Sequence, residues 1–442
     1  MIGHLHMKSR LKNMLSTDMV KVSVLNGVST SIRMLTGLVS VKFVAFHVGP
    51  AGIALLGQLN NFSTIIQSVS NGGISIGVTK YVSEHSESPE GYRPYLSSGL
   101  RITLIFSVLT SLALLAFPGF FSARILHSDD YKFIFRIFGG TLLLFSLNTF
   151  LLAALNGFKD YRRYITINII GSIVGLVFTV GLTAWFGLAG ALASVVTFQS
   201  IVFLFTVLII RKTSWFNSET FKAVAAREPL VHFSKYAIMA LVSAVAVPLS
   251  QLIVRGQIIG RLSIIDAGLW EGVNRISGMY LLVITTSLSV YFLPRLAELK
   301  ADLEIRKELM SVYRLVVPFL LLSSLIILVA RPLIINILFS REFQPMSGLF
   351  PFQLTGDLFK MCGWILGYLM LAKAMAREYV IMEILSFTFQ VTLPILGMSR
   401  FGTIGATAGY ALGHMLYLLC ALYIFRKILF NKKTVGSPPS DG

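Results

Sequence analysis

Charge is what this sequence has least of. Asp, Glu, Lys and Arg together make 13% of its 442 residues, about half the usual share in soluble globular proteins. A water-facing surface needs more, so a soluble enzyme or a nucleic-acid-binding protein is excluded in spite of a formal charge of +18. Cysteine is nearly absent. Cys362 and Cys420 lie far apart in apolar segments, which excludes a disulfide framework and a cysteine metal centre. Both are expected to be small buried apolar residues. No Walker loop, zinc pattern or nucleophile elbow occurs, so ATP-driven transport and a catalytic constellation are excluded as well. The seven His residues are mostly peripheral and define no site. No cofactor and no metal is implied.

Hydrophobic residues fill the space that charge leaves. They make 55% of the chain, and the mean hydropathy is +0.75. A spanning helix needs roughly 20 mostly apolar residues. Twelve segments qualify, at about 19–46, 51–80, 96–118, 130–157, 163–185, 188–210, 232–256, 264–296, 309–330, 346–372, 378–398 and 403–426. The second and eighth exceed a bilayer's need and are expected to extend beyond it or tilt. Pro248, Pro318 and Pro394 fall within apolar runs, where kinks are expected. The basic start (Lys8, Arg10, Lys12) has no small-residue cleavage site after the first apolar run, so that run is expected to be an uncleaved helix.

Orientation follows from the positive-inside rule. With an interior N-terminus, 26 of the 38 Lys and Arg residues fall in cytoplasmic segments. The opposite links "HVGP", "WFGL" and "SRFGT" are nearly uncharged, so both termini are expected to be cytoplasmic. The tail "NKKTVGSPPSDG" is polar and expected to be disordered.

"WFGLAGALASVV" (185–196) matches "RFGTIGATAGYA" (400–411). Phe186, Gly187, Gly190, Ala191 and Ala193 recur as Phe401, Gly402, Gly405, Ala406 and Ala408, at an offset of 215. Arg162 and Tyr164 meet Arg377 and Tyr379 at the same offset, and Lys80 meets Arg295. Six helices per copy is an even number, so both copies keep one orientation, a parallel repeat. The expected architecture is an all-α polytopic membrane protein of about twelve transmembrane helices in two six-helix lobes. The lobes are assigned to 1–210 and 232–427, with a cytoplasmic linker at 211–231 and a basic tail at 428–442. Repeats of this kind are typical of secondary transporters, with the substrate site near mid-membrane at the repeat interface.

Polar residues at depth mark the candidate site. An intramembrane charge costs about 2.5–3.5 kcal/mol at the helix centre, so the few present usually face water or protein. Arg33 lies about fourteen residues into the first span, roughly 20 Å deep, without an acidic neighbour on its own helix. It either borders a wet cavity, caps backbone carbonyls or pairs across helices with Glu383 or Asp357. Lys42 is nearer the outer face and can snorkel. Gln58, Asn61, Thr64, Ser68, Asn71 and Ser75 are spaced by three or four residues, one helical face that is expected to line water. The eighth span carries Glu271, Asn274 and Arg275, the tenth Asp357 and Lys360, the eleventh Glu383. Glu271 with Arg275, and Asp357 with Lys360, suit either a site or an intrahelical salt bridge.

Three stretches carry a family likeness: "VGPAGIALLGQLNNF…NGGISIGVTKYVSEH" (48–85), "GLWEGVNRISGMYLLVITTSLSVYFLPRLAEL" (268–299) and "FQLTGDLFKMCGWILGYLMLAKA" (352–374). Here the chain resembles the Wzx-type polysaccharide flippases, which include lipid III flippases and O-antigen translocases, within the multidrug/oligosaccharidyl-lipid/polysaccharide exporter superfamily. The resemblance implies two six-helix lobes around a cationic cavity in the bacterial inner membrane. It implies transport, with no enzymatic activity, of an undecaprenyl-diphosphate-linked glycan from the cytoplasmic to the periplasmic leaflet. It maps substrate-binding cations onto Arg33 and Lys42, and an acid–base pair onto Asp357 and Lys360. Depth and spacing add Gln58, Asn61, Asn71, Asn274 and Arg275 as cargo-binding residues, and Glu271 and Glu383, with Asp357, as candidates for ion coupling. Membrane lipid, a glycan polymerase and a chain-length regulator are the other expected partners, and no nucleic acid is. The alternative is a cation-coupled multidrug or metabolite antiporter of the same superfamily, which would favour an acidic cavity.

Overall fold

Apolar runs separated by short polar links become helices, because hydrocarbon leaves every backbone N–H and C=O to be satisfied within its own segment. The computed structural model describes residues 18–222 and 227–430, and every regular element among them is helical. The first helices are α1 (Asp18–Ser70), α2 (Ser75–Glu84), α3 (Pro89–Ala116), α4 (Pro118–Ile125), α5 (Lys132–Gly157) and α6 (Tyr161–Ile210). After the short α7 (Ser218–Lys222) come α8 (Arg227–Arg261), α9 (Ile264–Ser287) and α10 (Leu293–Glu298). Then follow α11 (Asp302–Leu338), α12 (Phe350–Ala372), α13 (Ala376–Ile424) and α14 (Arg426–Phe430). The expected cations Lys8, Arg10 and Lys12, and the tail from residue 431, lie outside the described residues.

Seven of the described helices are long and apolar enough to cross a membrane. Leu315 and Val329 of α11 are about three-quarters exposed, at 75% and 74%, a surface that lipid tolerates and water does not. The protein is a multi-pass membrane protein.

Helices α1, α6 and α13 run 53, 50 and 49 residues, about 75–80 Å if straight and more than twice a bilayer's hydrocarbon. Each breaks at a glycine: Gly49 (φ 62°, ψ −171°), Gly187 (φ 55°, ψ −132°) and Gly402 (φ 58°, ψ −143°). A Cβ would forbid these dihedrals. In α6 the two arms return side by side. A Cβ on Gly190 would strike the Leu182 carbonyl, and Ser194 Oγ donates to Thr179 Oγ1 at 3.3 Å. In α13 Gly405 abuts Gly397 in the same way, and Gln390 Nε2 donates to the Tyr410 carbonyl at 3.4 Å. The glycine pairs lie at the 215-residue offset seen in the sequence. The sharp breaks are therefore at glycines; at Pro248, Pro318 and Pro394 the backbone stays helical.

Two expected spans are interrupted. Segment 51–80 stops at Ser70 and resumes at Ser75, because Gly72 and Gly73 adopt φ of 61° and 65°. Segment 264–296 contains a π-helical turn at Leu288–Phe292 just before Pro294, the usual place for a widened turn that accommodates an interrupted hydrogen-bond ladder.

The chain divides into two compact units, residues 1–47 with 62–244, and residues 48–61 with 245–442. The core of the first gathers Val82, Leu96, Phe150, Leu155, Trp215 and Phe233. That of the second gathers Phe292, Leu309, Leu366, Met370, Tyr417 and Phe425. The second arm of α1 is thus divided at Asn61, its beginning belonging to the second unit.

Candidate functional site

The second unit buries an ionic cluster. Gln58 from α1, Arg255 from α8, and Trp270, Glu271 and Arg275 from α9 converge on it. The Arg255 side chain is 1% exposed. One Arg255 Nη contacts a Glu271 carboxylate oxygen, the other donates to Gln58 Oε1 at 3.3 Å, and its guanidinium lies 5.5 Å from the Trp270 ring. The second Glu271 oxygen accepts from Arg275 Nε at 3.0 Å. The cluster fits only because residue 57 is glycine: a Cβ there would sit 2.7 Å from Glu271 Cδ and 2.8 Å from Arg255 Cζ. Two guanidiniums on one carboxylate leave a positive excess. Arg275, with its side chain 22% exposed, is the member that still reaches solvent.

Asp357 on α12 forms a second cluster. Its carboxylate is fully buried and accepts from Ser277 Oγ at 2.6 Å, Tyr280 Oη and Tyr410 Oη at 2.8 Å each, and Gln353 Nε2 at 3.3 Å. The Asp357–Lys360 salt bridge weighed from spacing is not formed. Three residues along a helix rotate a side chain by about 60° from its partner's face. Asp357 turns to the hydroxyls of α9 and α13, and Lys360 turns away, its Nζ 4.8 Å from the Trp364 ring. Glu271 with Arg275, by contrast, is an intrahelical pair.

Lys360 faces a cavity of about 60 Å³ within the same unit, lined also by Gln251, Trp270, Asn274, Glu383 and His414. Asn61 Nδ2 donates to Gln251 Oε1 at 3.2 Å, and Asn274 Nδ2 donates to the Trp270 carbonyl at 2.8 Å. Trp270 Nε1 and His414 Nδ1 are buried without a partner among the described residues, so the space suits a few waters that would satisfy them.

In the first unit Arg33 and Lys42 are exposed on the first arm of α1, and neither side chain hydrogen-bonds or ion-pairs with another described residue. Asn71 directly follows α1, is buried, and lines a separate cavity of about 290 Å³ with Thr64, Gln67, Ser68 and Ser75. The polar face expected to line water along α1 therefore has two fates. Gln58, 1% exposed, is sealed against Arg255 and does not line water; Thr64 to Ser75 line an opening.

Sequence reasoning passed over Arg255, Gln251, Gln353, Ser277, Tyr280 and Tyr410. For Arg255 a signal existed. Ending its span at 256 leaves it at the helix terminus, where an arginine snorkels; α8 continues to Arg261 and carries it more than a turn inside. The hydroxyls around Asp357 come from two other helices, α9 and α13, and no spacing announces them.

The family model for polysaccharide biosynthesis proteins matches residues 20–300. Over 409 residues the chain is 28% identical to proteins named lipid III flippase from Escherichia coli (strain K12) and Shigella flexneri, covering 92% of this chain and 98% of each relative. Among solved structures, an inward-facing multidrug resistance MATE family transporter of the MOP superfamily superposes with a TM-score of 0.75. It is 16% identical, over 91% of this chain and 96% of that one. A MOP superfamily transporter from Pyrococcus furiosus, described as having a binding pocket of reversed polarity, superposes with a TM-score of 0.63. It is 14% identical, over 93% and 95% of the two chains. Such identities speak for the fold alone. This chain has the fold of MOP superfamily transporters and belongs to the polysaccharide biosynthesis protein family.

Proposed function

We propose that this protein is a flippase. It carries an undecaprenyl-diphosphate-linked oligosaccharide, an O-antigen unit or lipid III, from the cytoplasmic to the periplasmic leaflet of the bacterial inner membrane by alternating access through a cationic cavity. The observation that carries the reading is the surplus of positive charge in apolar helices. Arg255 and Arg275 share one Glu271, Lys360 has no carboxylate within ion-pair distance among the described residues, and Arg33 and Lys42 stand exposed. Cations at depth offset the dehydration of a diphosphate and do not suit a cationic drug. The near full-length likeness to proteins named lipid III flippase points the same way.

In this reading Arg33, Lys42, Arg275 and Lys360 meet the diphosphate, and Asn61, Asn71 and Asn274 meet the glycan. Arg255 and Gln58, both sealed, position Glu271 and through it Arg275. Asp357 and Glu383 are candidates for ion coupling. An inside-negative potential favours outward movement of the anion by about 2.3 kcal/mol per charge per 100 mV. Twelve crossings in two repeated lobes with cytoplasmic termini, and a polymerase and chain-length regulator as neighbours in the membrane, complete the proposal.

The test is complementation of glycan export in flippase-deficient cells supplied with several lipid-linked glycans. Export of at least one is expected with the wild type. Arg33→Ala is expected to abolish it with membrane levels unchanged, and Arg33→Lys to keep part of it. Wild-type export by Arg33→Ala would remove Arg33 from the site. Efflux of cationic dyes without any glycan export would favour the antiporter instead.

A further inference from the structure

The cavity of about 290 Å³ in the first unit differs in kind from the cationic cluster. No described residue lining it is charged. Gln67 and Asn71 stand one turn apart at the end of α1, Phe145 and Thr149 one turn apart on α5, and Ala240 and Ala244 of α8 leave the space open. Asn71 Nδ2 donates to the Gln67 carbonyl at 2.8 Å, which holds the side chain in place. Its Oδ1 is left buried with no donor among the described residues, in a residue 5% exposed. Ser68 Oγ and Thr149 Oγ1 spend their protons on their own helix, on the Thr64 carbonyl at 2.9 Å and the Phe145 carbonyl at 3.2 Å. They offer lone pairs to the cavity.

The lining is therefore rich in acceptors, lacks cations and carries one aromatic face. A phosphate has no protons to give and needs cations, so it is the wrong occupant. A buried acceptor left unpaired is costly, and the occupant that suits it brings several O–H or N–H donors, one apolar face and no charge. The volume, at the small end for ligand sites, is that of a single ring.

We propose that this cavity is a subsite for one uncharged pyranose ring of the cargo glycan. A sugar hydroxyl or acetamido N–H donates to Asn71 Oδ1, Gln67 bonds a neighbouring substituent, and the ring's C–H face lies against Phe145. This rests on the flippase reading and assigns glycan recognition to the first unit by neutral hydrogen bonding, apart from the cations that hold the diphosphate.

Full-length protein in lipid nanodiscs tests it, with two labelled probes: bare polyprenyl diphosphate, and the same lipid bearing one N-acetylhexosamine. The wild type is expected to prefer the glycosylated probe about tenfold, the scale of one hydrogen bond to a buried acceptor. Asn71→Leu should abolish that preference while still binding the bare probe, and Gln67→Leu should reduce it severalfold. A preference retained in both variants overturns the subsite. Equal wild-type affinity for the two probes also overturns it and leaves the flippase reading standing; failure to bind either probe removes both. Should Asn71→Leu fail to fold and lose the bare probe, Gln67→Leu, at a half-buried position, decides.

Discussion

Replacing Glu271 with glutamine should destabilise this protein more than any other isosteric change in the second unit. The carboxylate lies between two guanidiniums, and they differ in what they can do without it. Arg275, with its side chain 22% exposed, can turn to solvent, and loss of such a pair costs about 0–1 kcal/mol. Arg255, 1% exposed, has nowhere to go. Its remaining contacts are the Gln58 oxygen and the Trp270 ring, both neutral. Removing one partner of a buried pair costs about 3–5 kcal/mol. Glutamine also aims an N–H₂ group at one of two donors. Equilibrium unfolding in lipid–detergent bicelles should show the loss for Glu271→Gln. It should return in part when Arg255→Met is combined with Glu271→Leu, because the stranded charge is then gone. The coupling across that double-mutant cycle should reach about 2 kcal/mol. Glu271→Gln within about 0.5 kcal/mol of wild type, or strict additivity in the cycle, would refute the claim that this cluster is held by charge balance.

Other outcomes follow from the same geometry. Gly57→Ala places a methyl group 2.7 Å from Glu271 Cδ and should cost about 1–3 kcal/mol, read in the same unfolding assay. Gly405→Ala drives a Cβ into the Gly397 backbone; a lowered thermal midpoint is expected, and an unchanged one would mean the α13 arms separate freely. Asp357→Asn turns an N–H₂ group toward hydroxyls that now donate to oxygen. It should destabilise by about 1–3 kcal/mol, whereas a stability like the wild type's would show that those hydroxyls reorient at no cost. Lys360→Gln should cut flipping in reconstituted vesicles about tenfold while stability changes by less than about 1 kcal/mol, and Lys360→Arg should retain part of the transport.

Much of the fold was legible because hydrocarbon constrains it. Where a run of apolar residues is bounded by "WFGL" or "SRFGT", only a helix end and a turn are possible, and the glycines of those motifs are where α6 and α13 fold back. The interruption at Gly72 and Gly73 was less visible, since "SNGGIS" is short and its flanks are apolar and polar in helical register. For the site, Glu271 with Arg275 was readable from a four-residue spacing on one helix. For Asp357 with Lys360 the spacing left the outcome open: it permits a pair, but four donors from α9, α12 and α13 claim the carboxylate first.

Composition and periodicity by themselves determined that this chain lives in a bilayer, that it is helical, and that it places rare cations and amides among apolar residues. Those properties are local, set by what each segment can satisfy with its own backbone and by the cost of charge in lipid. Only the tertiary structure decided which of those groups are spent on one another and which stay available: Arg255 and Gln58 sealed, Arg275 partly open, Asp357 surrounded by hydroxyls, Asn71 with an acceptor free. Partners contributed by different helices carry no mark in sequence spacing, because packing alone brings them within hydrogen-bond distance.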